Sequence, residues 1–340
     1  MRLGLALGYS GGPFGKVLPV VEHADRIGID SVWSLEEYGT DGATVLAYLA
    51  ARTKRIKLGT SILQMPARTP ANTAMTAMTL DLLSGGRVIL GLGLSVPWIV
   101  EGWHGVAYRK PLGLTREYIQ IVRSAIAREQ RLEHAGEHYQ IPYRGPGSTG
   151  SARPVISQAT PLRSRIPIYL ASIGSRNVRL AGEIADGWLP AFYSPEREAV
   201  MTAPLDEGLR AAGRDPADVP IAVIASTIRA DDVGDARDQL RPLFASWIGP
   251  KGEGIRNSFF DLACRLGFDG AAHAVRGHYL EGRKADAAAA VPDALLDEVA
   301  LLGPLPAIVD RLAAWKSSRV DTLILLTRDL KVLEAAQAAL

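Results

Sequence analysis

Cysteine is nearly absent: Cys264 is the one thiol in 340 residues. A single cysteine excludes an intramolecular disulfide and any cysteine-cluster metal site. Long apolar runs are missing as well. No stretch approaches the roughly 20 residues that a membrane span needs, and the opening MRLGLALGY alternates too strictly for a signal peptide. Neither sign of charge is in excess. The 38 basic and 36 acidic residues leave a formal charge of +2 with no basic stripe, which argues against a nucleic-acid partner. The composition fits a globular protein with a large core, and the cytoplasm is its expected address.

Several chemical motifs are missing too. Gly91 and Gly93 would open a dinucleotide fingerprint, but Val96 stands where the third glycine belongs. There is no Walker-type phosphate loop, no GxSxG nucleophile elbow and no HExxH. The six histidines (His23, His104, His134, His138, His273 and His278) lack zinc spacing, so no metal is expected. His134 and His138 sit in a Gly-bearing polar stretch and read as surface residues. Hydrolysis and metal catalysis have nothing to carry them.

What is present is organised around residues 56–95. A β-type run over 56–63 is followed by a polar turn with Pro66, Arg68 and Pro70. Ala74, Met75, Met78, Leu82 and Leu83 then recur at helical spacing, and Gly85-Gly86 stops the helix. A second buried run covers 88–92. This is a β-α-β unit with parallel strands and a right-handed crossover. Both strands end in small residues, Gly59-Thr60-Ser61 and Gly91 to Ser95, which predicts a slot for a flat ligand at the strand tips.

The alternation continues on both sides. Further strands are expected over residues 2–8, 31–36, 166–171, 187–189, 221–226 and 322–326. Eight strands alternating with helices favour an α/β TIM (β/α)8 barrel, one domain over 1–340, above an open doubly wound sheet. Insertions fall at about 96–114, a non-periodic lid after strand 4, at 129–165, an irregular excursion with one hairpin, and at 245–300, a helical cluster after strand 7. In strand 1, Leu3, Leu5 and Leu7 are expected to face the helices. In strand 2, Trp33 and Leu35 are expected on the helix side, with Val32, Ser34 and Glu36 inside.

Three places can carry chemistry. Glu36 and Glu37 end strand 2, where a carboxylate is placed for proton transfer; Glu36 is the favoured member, unless Arg68 pairs with it. Asp41 reads as the N-cap of the helix from Gly42. Arg68 could grip an anion with its planar fork or tie down its own loop. The turn Gly174-Ser175-Arg176-Asn177 joins strand 5 to a helix N-terminus, whose free N–H groups suit a phosphate; an ordinary N-cap by Ser175 is the plain alternative. The lid aromatics Trp98, Trp103 and Tyr108, with His104, suggest an apolar or planar substrate, or simple lid packing.

The segments IKLGTSIL, ARTP, TLDLLSGGRVILGLGLS and IPIYLASIGSRNVRLAGEIADGWLP resemble the luciferase-like superfamily. Within it they are most similar to the branch using the deazaflavin coenzyme F420, which includes methylene-tetrahydromethanopterin reductase. The resemblance covers nearly the whole chain. It implies a hydride-transfer oxidoreductase, a non-proline cis peptide at Ser61-Ile62, and a cofactor touching Ser61, Ile62, Gln64, Gly93, Ser95 and residues 174–177. Sugar-phosphate dehydrogenases of the branch carry a histidine where this chain has Glu37, an acidic residue at Val96 and a lysine near Ser194, so a sugar phosphate does not fit. An FMN-dependent monooxygenase fed by a partner reductase is the alternative on the same fold, and a cofactor-free binding barrel is a third. Relatives are often homodimers.

Overall fold

Eight parallel strands close on themselves: β1 (Arg2–Ala6), β2 (Ser31–Ser34), β3 (Lys57–Thr60), β4 (Val88–Gly93), β5 (Ile168–Ala171), β6 (Gly187–Leu189), β7 (Ile221–Arg229) and β8 (Val320–Leu326). Each pairs with the next, and β8 pairs back with β1. The structure is a computed structural model and describes residues 1–8, 14–250 and 257–340. Around the barrel run α1 (Leu18–Ile27), α2 (Gly42–Arg52), α3 (Pro70–Ser84), α4 (Pro97–Gly102), α5 (Pro111–Ala127), α6 (Ser175–Ile184), α7 (Glu198–Ala211) and α8 (Val233–Ile248). Then come α9 (Ser258–Arg265), α10 (Asp269–Leu280), α11 (Lys284–Ala289), α12 (Asp293–Val299), α13 (Leu305–Lys316) and α14 (Leu330–Ala338). This is the TIM-type barrel that the alternation predicts. None of the described helices is long and apolar enough to cross a membrane.

The local signals hold where a residue type dictates the backbone. Asp41 caps α2 by accepting from the Thr44 N–H at 2.7 Å. Gly28 and Gly85 end α1 and α3 in the left-handed conformation.

Two apolar layers separate inside from outside. Leu3, Leu5 and Leu7 pack in the outer layer with Val32, as the alternation of β1 predicts. The interior is filled by Ala6, Trp33, Leu35, Leu189, Ala222 and Ile324. Trp33 and Leu35 therefore point inward, and Val32 outward, which reverses the expected parity of β2. Register is the reason. Ala6 is paired with Trp33, and Trp33 with Gly59, and laterally paired residues of a sheet share a face. A Cβ on Gly59 would fall inside the Trp33 ring. Small neighbours on both sides make room for an indole in the barrel.

The face that α3 buries also differs from its most apolar stripe. Thr73, Ala74, Ala77, Met78, Leu80 and Asp81 are buried, while Met75, Leu82 and Leu83 are exposed. Asp81 is tied to Arg163, which also donates to the Val88 carbonyl at 2.9 Å.

The insertions carry more order than the sequence suggests. The lid contains α4, anchored by the buried Ile99 and Val100. The 129–165 excursion holds one hairpin, His134–Ala135 with Gln140–Ile141. His134 is not a free surface residue: its Nε2 lies 3.2 Å from Glu117, whose carboxylate accepts from the N–H groups of Glu137, His138 and Tyr139. The 245–300 cluster contains α9 to α12; its residues 251–256 lie outside the described residues.

Candidate active site

The carboxyl ends of the eight strands share one mouth, where a barrel places its chemistry. After β3 the chain turns through a cis Ser61–Ile62 peptide. It re-pairs with β4 through Leu63 and Gln64, opposite Leu92 and Gly93. The Thr60 hydroxyl spans the gap, donating to the Gly91 carbonyl at 2.7 Å and accepting from its N–H at 2.8 Å. A Cβ at Gly91 would overlap the Thr60 carbonyl, and one at Gly93 would overlap the end of Ile62. The slot expected from these small residues is thus filled by the chain itself. Gly91 admits the Thr60 backbone and Gly93 admits the Ile62 side chain. Ser95 adopts a left-handed φ of 60° as the chain leaves the strand for the lid.

The two glutamates after β2 have separate fates. Glu36 accepts from the Gly42 N–H at 2.9 Å and from Arg68 at 3.0 Å. Their side chains are only 10% and 17% exposed. The same guanidinium nitrogen reaches Asp41 at 2.5 Å. Burial opposes ionisation of Asp41, but Thr44 and Arg68 together hold its carboxyl below the usual range. Arg68 is therefore occupied by two carboxylates, with Nε its buried nitrogen lacking a partner among the described residues. Glu37 has no such ion pair among the described residues, and burial alone pushes its carboxyl up. Of the two, Glu37 has the environment of a proton donor or acceptor.

Gln64 connects the glutamates to the lid. The residue is buried; its Nε2 donates to the Glu37 carbonyl at 2.5 Å, and its Oε1 lies 3.3 Å from His104 Nε2. Tyr108, in the same insertion, is half-buried, and burial pushes its phenol up. Trp98 and Trp103 are 61% and 66% exposed. Trp98 meets Tyr38, which is itself exposed, edge to face at a ring separation of 5.6 Å.

On the other side of the mouth, Gly174 rather than Ser175 is the N-cap of α6, and no side chain caps it. The first N–H groups of that helix are free of intrahelical partners by geometry. A Cβ on Gly174 would meet nothing within 4 Å. Arg265 reaches this turn from α9, donating to Ser175 Oγ and to the Ile173 carbonyl, both at 2.8 Å. Ser172 Oγ, at the tip of β5, is buried without a partner among the described residues. Arg265 is thus bonded within the turn at the N-terminus of α6, Gly174 faces open space, and Ser172 adds a buried hydroxyl with no partner among the described residues. A cation and free helix N–H groups are the chemistry that suits a phosphate. Arg176 and Asn177 belong to the first turn of α6. Sequence reasoning missed Arg265 and Ser172. Arg265 lies about ninety residues away in an insertion with no motif, and Ser172 carries no pattern of its own.

Ser194 is fully buried; its hydroxyl donates to Glu298 at 2.8 Å and accepts from the Arg197 N–H at 3.1 Å. It is a structural position.

Known proteins agree with this architecture. The chain is 41% identical over 327 residues to a protein of Mycobacterium tuberculosis named as a coenzyme F420-dependent oxidoreductase, covering 95% of this chain and 94% of that one. It is 31% identical over 214 residues to the 5,10-methylenetetrahydromethanopterin reductase of Methanolobus tindarius, covering 63% and 61%. Among solved structures, the coenzyme F420-dependent tetrahydromethanopterin reductase of Methanopyrus kandleri superposes with a TM-score of 0.77 at 21% identity, over 100% of this chain and 98% of that one, and shares its fold. Residues 1–322 match the family described as luciferase-like monooxygenase, and the chain belongs to that family.

Proposed function

We propose that the protein is a coenzyme F420-dependent oxidoreductase that moves a hydride to or from a small organic substrate at the mouth of the barrel. The observation that supports this reading is the turn at the N-terminus of α6, where Arg265 bonds Ser175, Gly174 faces open space and the Ser172 hydroxyl has no partner among the described residues, a set whose chemistry suits the phosphate of a deazaflavin. When bound, the deazaflavin supplies the carbon that carries the hydride. The chain's own residues do the rest. Ser172, Ser175, Arg176 and Asn177 bind the phosphate, with Arg265 neutralising its charge. Ser61, Ile62, Gln64, Gly93 and Ser95 form the wall for the ring.

Glu37 exchanges the proton with the substrate, since burial raises its carboxyl toward the range where it can both give and take one. Glu36 and Arg68 position this loop and leave the proton transfer to Glu37. The exposed Trp98 and Trp103, with Tyr108 and His104, suit a substrate with an apolar or planar body that packs under the lid. We also take the protein to act as a homodimer, with Met75, Leu82 and Leu83 offering an apolar outer face on α3; light scattering checks that.

The test is a paired titration of purified protein with oxidised coenzyme F420 and with FMN, read by tryptophan quenching. Tight binding of the deazaflavin alone supports the proposal. A preference for FMN replaces it with the monooxygenase reading and a partner reductase. Binding of neither removes the enzyme assignment.

A further inference from the structure

The helical insertion holds a second cluster of chemically able side chains, unrelated to the glutamates or the lid. Cys264 lies in the last turn of α9, and Asp269 and His273 lie in the first two turns of α10. One ligand atom from each, the thiol sulfur, a carboxylate oxygen and an imidazole nitrogen, lies within 4.8 Å of the other two. The chain reverses between the helices at Gly267, whose φ of 86° is left-handed. This tight turn carries Cys264 back against the start of α10.

We propose that Cys264, Asp269 and His273 form a binding site for a zinc-like divalent cation, with water completing the coordination. The donor set decides the class. Thiolate and imidazole together select zinc or cobalt over magnesium and calcium, which take oxygen ligands. The spacing is close to what is needed. Bonds of about 2.0–2.3 Å at a tetrahedral angle put neighbouring ligand atoms about 3.3–3.6 Å apart. His273 Nδ1 is 3.6 Å from Asp269 Oδ1. The same nitrogen lies 2.9 Å from the Asp269 carbonyl oxygen, so loading the ion exchanges that contact for a metal bond.

The surroundings are partly prepared. The Phe260 ring meets the imidazole edge to face at 5.0 Å and restrains its orientation. The Arg276 guanidinium also lies over the Phe260 ring, 3.3 Å from its centroid. Asp261, Asp269 and Arg276 all lie near the thiol, which donates a hydrogen bond to Asp269. Asp269 and His273 are 68% and 64% exposed, which gives an ion open access from solvent. Binding converts the thiol to a thiolate, releases its proton to water and changes no oxidation state.

Position gives the site a consequence. Cys264 directly precedes Arg265, the residue that grips Ser175 and the Ile173 carbonyl at the mouth. An ion pinning α9 to α10 would fasten that arginine in place. The site itself stands on its own three ligands and does not depend on which cofactor the mouth takes.

The single thiol makes a clean experiment on the full-length protein. Cobalt(II) added to the reduced protein should give a thiolate-to-metal charge-transfer band that saturates at one ion per chain. Zinc should abolish that band by competition and slow alkylation of Cys264 at least tenfold, and magnesium should do neither. Cys264→Ser should remove the band, while Asp269→Asn and His273→Ala should each weaken cobalt binding tenfold or more. Both of these side chains are exposed, and far-ultraviolet circular dichroism checks that the variants keep their fold. The proposal is overturned if no band appears at stoichiometric cobalt, or if the band and its affinity survive both the Asp269 and His273 variants, which would leave an isolated thiol.

Discussion

His104, in the lid, and Gln64, at the end of the third strand's extension, meet with Nε2 and Oε1 3.3 Å apart. The amide of Gln64 simultaneously holds the Glu37 backbone. A buried glutamine thereby links the insertion after β4 to the loop that carries the proposed proton donor. A hydrogen bond of this kind is worth about 0.5–1.5 kcal/mol net. His104→Ala should loosen the lid by that amount, raising KM up to about tenfold with a smaller change in kcat. Hydrogen exchange over residues 97–110 should rise in parallel; unchanged exchange would show that the contact does not hold the lid.

Arg68 neutralises Glu36 and Asp41 in a part-buried site. Arg68→Ala leaves the Glu36 carboxylate without its cation, and breaking a buried pair from one side costs about 3–5 kcal/mol. Urea denaturation should report a loss near the lower end of that range, since the Gly42 N–H still serves Glu36. A loss below about 1 kcal/mol would place the pair among exposed ion pairs of little weight.

The raised carboxyl of Glu37 has a signed consequence for pH. Burial makes the native state hold this proton to higher pH than the unfolded chain does. Between the ordinary glutamate value and the raised one, the native state binds more protons, so stability falls as pH rises through that window. Glu37→Gln should flatten this part of the stability profile. In turnover, the same variant should remove an ionisation limb from the pH dependence of kcat/KM. An activity profile unchanged in Glu37→Gln would dismiss Glu37 as the proton exchanger.

Gly91 has no room for a side chain because the Thr60 carbonyl occupies that position. Gly91→Ala should destabilise the protein by about 3 kcal/mol or more, at the upper end of overpacking costs. Gly174→Ala should be tolerated, since open space lies there, yet it should weaken phosphate-bearing ligands. Thermal melts and ligand titrations of the two variants separate a packing glycine from a site glycine.

Arg265 is predicted to act through charge. A charge-assisted hydrogen bond contributes about 1.5–3 kcal/mol, so Arg265→Ala should weaken coenzyme F420 binding roughly tenfold to a hundredfold. A deazaflavin lacking the phosphate should bind the variant and the parent equally. Equal loss for both ligands would mean that Arg265 supports the fold at this turn and does not neutralise the phosphate.

The legible and illegible parts of this protein divide along a physical line. Alternation in the β1 sequence placed Leu3 and Leu5 on the helix side, because Gly4 and Ala6 are too small to compete for that layer. The same rule failed one strand later. Trp33 is large and apolar, and periodicity cannot tell an outer layer from the inside of a barrel when both are dry. Its inward direction follows from lateral pairing with Ala6 and Gly59, which is a property of register. The favoured Glu36 was likewise placed by strand position alone, whereas its pairing with Arg68 depends on a loop more than thirty residues away.

By itself the sequence determined the alternating strands and helices, their caps and the closed parallel barrel, since period, glycine and capping residues act over a few positions. It also carried the family, through short segments spread along the chain. Tertiary structure alone decided which glutamate has no ion pair among the described residues, which glycines are filled by neighbours, and that Arg265 of an unremarkable insertion comes to rest at the N-terminus of α6. These depend on contacts between residues distant in the chain, where side-chain volume and charge are settled only once the barrel has closed.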